Sequence, residues 1–211
     1  MDLFGYIKGN KELNTLLIHE CDIYFYKQSQ EIQFLNNQEV YSIPCKAFAR
    51  DGSGGEFVLL NDGSIGFIGS EGEVGRIAEN LEELLTFLIH AGNIFDFNCR
   101  YIYQNQSLLK KYCNGYLSKV RENYRTEGKD WDKIRSNIAK DLGLPFKPDE
   151  LADLAMNFYQ VATRSPYFSC KYADGENEYI CDSVLSDIVG LWVKELTGMT
   201  KEEIEMSINK G

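Results

Sequence analysis

Residues 48–92 read FARDGSGGEFVLLNDGSIGFIGSEGEVGRIAENLEELLTFLIHAG, and their order of turns, strands and helix decides the fold. Residues 48–55 form a polar, glycine-rich turn, and residues 56–60 are apolar enough for a strand. Asn61, Asp62 and Gly63 are the strongest hairpin signal in the chain, because Asp-Gly accepts the positive φ of a tight turn. Residues 64–68 are the return strand and residues 69–75 a second glycine-rich loop. The apolar period then changes from two to about 3.6. Asn80 is placed to cap a helix with Glu83 completing a capping box, Leu81, Leu84, Leu85 and Leu88 share one face, and Gly92 ends it.

Upstream, residues 18–26 are rich in Ile, Tyr and Phe and predict a strand, and residues 31–35 and 39–43 predict two hairpin arms ended by Pro44. Residues 1–17 are only weakly periodic. Downstream, the spacing of apolar residues predicts helices over 107–125, over 130–142 with a stop at Gly143, and from Pro148 through Val161. A further helix is expected over 182–196, with Thr200 capping a short tail helix, and Asp174 and Gly175 turn a small hairpin that carries Tyr172 and Tyr179 on its arms. The expected class is α+β, a mixed, mainly antiparallel sheet with a flanking helix followed by a mostly helical C-terminal part. The charge step near residue 98 suggests a first domain over 1–97 and a helical extension over 98–211.

Charge is distributed unevenly along the 211 residues. Lys and Arg number 6 against 15 Asp and Glu in residues 1–97, 11 against 5 in 98–148, and 5 against 12 in 149–211, for a net charge of −10 overall. The acidic ends would repel a phosphate backbone and attract a basic protein. The basic middle interleaves Lys110, Lys111, Lys119, Arg121 and Arg125 with Tyr112, Tyr116 and Tyr124, a pattern that could bind RNA. Helical spacing places most of those tyrosines on a packing face instead, and the basic surface could equally dock on the acidic first part. No apolar run reaches the roughly 20 residues that span a bilayer. The start lacks a signal-peptide pattern, so the cytoplasm is the expected location. Six cysteines without a CxxC pair, together with two histidines, make a poor zinc set and read as reduced thiols.

Chemistry-bearing patterns are sparse. The run Asp51, Gly52, Ser53, Gly54, Gly55 precedes a strand, whereas a phosphate-binding loop leads into a helix, so these glycines are read as a structural turn. Gly63, Gly69, Gly72 and Gly75 are assigned the same role. No EF-hand spacing surrounds Asp62 or Asp174, and no metal or cofactor is expected. His19 and Cys21 would share one face of a strand, which makes them a candidate nucleophile pair, yet no third orienting group accompanies them. His90 sits at a helix C-terminus, where the dipole favours it. The candidate partner-binding residues are Asp51, Glu56, Glu71, Glu73 and Arg76, loop or strand-end charges able to orient a basic partner.

Residues 48–92 resemble the second half of the SUKH superfamily, the SMI1/KNR4-like domain: a DGSGG turn, a strand, a DG hairpin, a strand running into GSEGEVG, and a capped leucine helix. The resemblance extends loosely over the first 95 residues by strand order. It implies a small α+β domain that binds proteins and does not catalyse, as in immunity proteins that neutralise a toxin, often a nuclease, or in intracellular regulators. A small Cys/His-dependent hydrolase is the alternative from another class. The family's usual opening helix is not evident in residues 1–17, and the helical part after residue 98 lies outside the family pattern.

Overall fold

A computed structural model of the chain describes residues 2–32 and 39–208. The fold is α+β, with two antiparallel sheets and a mostly helical C-terminal part. The chain forms two compact units, Met1–Leu85 with Gln160–Val184 and Thr86–Tyr159 with Leu185–Gly211.

The first unit opens on two helices, α1 (Leu3–Gly9) and α2 (Lys11–Cys21), where the sequence led us to expect a strand from residue 18. Asp2 accepts from Gly5 N at 3.1 Å and Asn10 from Leu13 N at 3.1 Å, so each helix has an N-cap. Leu13, Leu17 and Cys21 then repeat at intervals of four and bury one stripe. That stripe outweighs the β preference of the Ile, Tyr and Phe that follow. Asp22 ends α2 in the left-handed region, φ 49°, and β1 starts only at Tyr24 (Tyr24–Gln30).

The main sheet has the order β1-β3-β4-β5-β6, with β3 (Cys45–Arg50), β4 (Glu56–Leu60), β5 (Ile65–Ile68) and β6 (Val74–Ala78). Two of these strands overlap expected loops. β3 runs through Phe48, Ala49 and Arg50, so the first turn is confined to residues 51–55; β6 takes in Gly75 and Arg76, so the second loop ends at Glu73. A smaller sheet has the order β2-β7-β8, with β2 (Val40–Tyr41), β7 (Cys170–Asp174) and β8 (Asn177–Ile180). Within residues 39–43, β2 pairs with β7, Val40 opposite Lys171 and Tyr41 opposite Cys170. Residues 33–35 of the arm expected over 31–35 lie outside the described residues. The Asp174-Gly175 hairpin forms, with Tyr172 opposite Tyr179.

The two sheets face each other across a core of Ala47, Val58, Leu60, Ile68 and Val74 from the larger, Cys170 from the smaller and Phe168 from the segment just before β7. Tyr41 stacks on Phe168 at 5.7 Å, and Gly66 is forced by the same packing, since a Cβ there would stand 2.7 Å from the Phe168 ring. The opposite face of the main sheet carries Phe48, Phe57 and Phe67 in an edge-to-tilted series, with Phe4 of α1 edge-on to Phe48 at 5.1 Å.

The chain passes out of the first unit within α3 (Leu81–Ala91) and back within α6 (Leu151–Thr163). Asn80 caps α3 as expected, accepting from Glu83 N at 2.9 Å, and Glu83 reaches back to accept from Glu79 N at 3.1 Å. The second unit includes α4 (Gln106–Thr126), α5 (Trp131–Leu142), α7 (Leu191–Thr197) and α8 (Lys201–Ile208). Its core holds Phe87, Phe97, Ile102, Tyr112, Tyr116 and Phe158. Tyr112 donates to Asp96 O and Tyr116 to Ala91 O, so these tyrosines are core residues with satisfied hydroxyls. Only the last part of the helix expected over 182–196 forms: residues 182–190 are irregular, Val74 N donating to Asp182 O in the first unit and Ser186 bridging to Cys99 in the second.

Candidate functional site

Both glycine-rich loops belong to the first unit, and each is shaped from within. Asp51 is 2% exposed and accepts from Gly55 N at 2.7 Å, Ser53 N at 3.0 Å and Ser53 Oγ at 2.8 Å. Its carboxylate is consumed by the turn it sits in, so it does not stand on a surface as expected. Gly52 N donates to Asp22 Oδ1 at 3.0 Å, Gly54 needs its φ of +97°, and a Cβ at Gly55 would stand 2.4 Å from Phe67 Cζ. Burial, reinforced by the nearby Asp51 charge, pushes the Asp22 carboxyl above its ordinary range.

The second loop is closed by Gly69 N donating to Glu73 O at 2.7 Å and Gly72 N to Gly69 O at 3.1 Å, with Gly72 at φ +97°. Glu71 is exposed and Glu73 half-buried. Arg76 differs from its expected role, because it lies on β6 with about 1% of its surface exposed. It donates to Asp62 Oδ2 at 2.7 Å, to Ser64 Oγ and to Pro166 O at 3.1 Å. Asp62 in turn accepts from Ser64 N at 3.1 Å. Arg76 thus fixes the Gly63 hairpin to the segment before β7. Gly75 is held bare by Val184, whose Cγ2 would lie 2.4 Å from a Cβ.

Between the two loops, at one end of the facing sheets, the first unit has a groove of about 530 Å³. Ser53 and Gly54 come from the first loop, Gly69, Ser70 and Gly72 from the second, and Ala47, Ile68 and Val74 supply an apolar floor. Three carboxylates line it: Glu31, Glu39 and Glu56. Glu56, projecting from the start of β4, accepts from the single hydrogen of Tyr26 Oη, which lies 2.8 Å from Oε1 and 2.9 Å from Oε2. Burial raises its pKa above the ordinary value even though the Tyr26 hydroxyl and the Arg50 charge favour the ionised form. Glu31 is paired with Lys46 at 2.8 Å, both largely exposed. Glu39 is raised by burial, and its Oε2 is buried with no hydrogen-bond partner among the described residues.

Of the five residues expected to meet a partner, then, Glu56 lines the groove, Glu71 and Glu73 belong to a loop on its rim, and Asp51 and Arg76 are internal. The residues missed were Glu39, Tyr41 and Cys181. The only local signal is that Glu39 and Tyr41 are two apart and so point the same way in an extended segment; their meeting with Cys181 depends on the pairing of β2 with β7.

The nucleophile pair does not form. His19 and Cys21 lie on α2, where a separation of two turns side chains to different faces; His19 is exposed and Cys21 buried. Among the described residues no group of three or more His, Cys, Asp and Glu could hold a metal ion, and no helix is long and apolar enough to cross a membrane. No family model, curated protein or solved structure matches the chain.

Proposed function

We propose that this chain is a non-catalytic protein-binding protein, an SMI1/KNR4-like immunity protein that neutralises a basic toxin domain by receiving a cationic side chain in the groove. The observation that carries this reading is the carboxylate set around a floor of Ala47, Ile68 and Val74, with one Glu39 oxygen buried and without a hydrogen-bond partner among the described residues. An unpaired buried carboxylate is costly by itself and is relieved by a charge-assisted hydrogen bond from Lys or Arg. Aliphatic stems of those residues suit the floor of Ala47, Ile68 and Val74. The resemblance of residues 48–92 supports the family assignment, and the opening helices α1 and α2 fill the place where the sequence showed no helix.

The experiment is co-expression with the toxin encoded beside this gene, followed by titration calorimetry of the two purified proteins. Protection of the cells is expected, with binding that weakens at high salt and falls at least tenfold in the Glu39→Gln, Glu56→Gln double variant. Absence of both protection and binding, or binding that the double variant leaves unchanged, overturns the reading.

A further inference from the structure

A second chemistry resides in the smaller sheet, independent of any partner. Lys171 pairs with Ile180 in the antiparallel β7-β8 ladder. One step further along, Cys170 and Cys181 stand opposite each other, and Cys181 N donates to Cys170 O at 2.9 Å. A hydrogen-bonded antiparallel pair holds its Cα atoms about 5.5 Å apart, inside the roughly 4.4–6.8 Å that a disulfide spans. The Cys170 thiol itself donates to Lys171 O at 3.4 Å.

Access is asymmetric. Cys181 is half-buried and lines the groove, whereas Cys170 is 1% exposed, behind it in the core. That is the arrangement of an attacking thiol open to a small oxidant and a resolving thiol kept away from it. Cys45 is the competing neighbour of Cys170, but it belongs to the main sheet. Cys45 approaches Cys170 from the other side of the core, whereas Cys181 is set opposite Cys170 by the ladder itself. Cys21, Cys99 and Cys113 are buried elsewhere.

We propose that Cys170 and Cys181 are a redox-active dithiol that a peroxide converts to an intramolecular disulfide. Cys181 Sγ, as the thiolate, attacks one peroxide oxygen and the O–O bond breaks. Cys181 becomes a sulfenic acid, and the departing oxygen takes a proton as water. Cys170 Sγ then attacks Cys181 Sγ; the S–S bond forms, the S–O bond breaks, and the hydroxide leaves as water with the proton of Cys170. The two thiols lose two electrons and the peroxide gains them.

Burial pushes the Cys181 thiol up to about 12 and the Cys45 thiol to about 11. Glu39 and Asp182 face Cys181 as well, Tyr41 lies beside Cys170, and Cys170 and Glu31 lie toward Cys45. These carboxylates disfavour the thiolate, so the reaction is slow at neutral pH and accelerates as pH rises.

The test uses the full chain and hydrogen peroxide. After reaction and alkylation under denaturing conditions, mass spectrometry is expected to find four of the six thiols still free, with a peptide cross-linked through Cys170 and Cys181 that dithiothreitol releases. The rate should rise about tenfold per pH unit between 7 and 9. Cys45→Ser should leave the cross-link intact, and Cys181→Ser should abolish it while the far-ultraviolet circular dichroism stays native. A Cys45–Cys170 cross-link, or a folded native chain that forms no intramolecular disulfide, overturns the proposal.

Discussion

Arg76, with about 1% of its surface exposed, donates from Nη1 to Asp62 Oδ2 at 2.7 Å. The pair ties strand β6 to the β4-β5 turn, and Arg164 extends it, bonding Glu79 through Nε at 2.5 Å and Nη2 at 2.6 Å. Burial works against the charge on Asp62, but hydrogen bonds from Ser64 and Arg76 outweigh it and lower the carboxyl to about 2. A carboxyl lowered on folding stabilises above its unfolded value, 3.8, and that contribution is lost as pH falls through about 2. The urea midpoint should therefore show a step between pH 4 and pH 2 that Asp62→Asn lacks. Arg76→Ala removes the buried partner and should cost about 3 kcal/mol at pH 7.

Glu39 gives the opposite sign. Its carboxyl is raised by burial, so the folded state prefers the protonated form. Its favourable contribution is present below the unfolded value and is lost as pH rises through the folded one. Glu39→Gln should raise the urea midpoint at pH 7 and leave it unchanged at pH 3.5. A variant less stable than the native chain at pH 7 would show that the carboxylate is satisfied in solution.

His90 is buried, with Nδ1 2.7 Å from Thr86 O and Nε2 3.0 Å from Lys147 N. A backbone N–H can only donate, so Nε2 accepts and Nδ1 carries the hydrogen. The ring is the neutral tautomer, held below its ordinary pKa first by burial, and the helix dipole that the sequence suggested is not what governs it. The unfolded chain binds the proton first, so this contribution is complete above 6.5 and is lost as pH falls through that value toward the lower folded one. Urea midpoints measured between pH 7 and 5 should fall in the native chain and fall less in His90→Asn.

What was legible in the sequence was what local chemistry determines. Asp62-Gly63, Asn80, Gly92, Gly143 and Thr200 mark their turn or caps within a few residues, and the structure uses each of them there. β3 and β6 were hidden because Phe48-Ala49-Arg50 adjoins a glycine run and Val74-Gly75-Arg76 interrupts its apolar pattern. Both strands exist through cross-strand pairing and through packing that only the folded chain supplies, such as Val184 over Gly75. Charged residues mislead in the same way. Asp51 and Arg76 look exposed by type, but Asp51 is buried by its own turn and Arg76 by Asp62, Ser64 and Pro166. The groove was only partly visible: Glu56 could be named, but Glu39 and Cys181 meet it through the pairing of β2 with β7 and β7 with β8.

Gly115 offers a test in which two effects oppose each other in sign. It lies inside α4, where glycine is less favourable than alanine by about 1 kcal/mol in an exposed helix. On propensity alone, Gly115→Ala should stabilise. A Cβ at Gly115, however, would stand 2.5 Å from Leu196 O and 3.2 Å from Leu196 Cβ, both on α7. The nearest obstacle is backbone, which cannot rotate away, so α7 must move off α4 or the new methyl must clash. Overpacking of this kind costs about 1–3 kcal/mol, and losing the contact between Tyr116 and Trp192, 6.3 Å apart and edge-on, adds to it. Gly115→Ala should lower the urea midpoint, with a red shift of tryptophan emission as Trp192 becomes wetter. Added Leu196→Ala leaves the carbonyl in place and should not restore stability; a midpoint above the native one would mean that α7 does not approach α4 this closely.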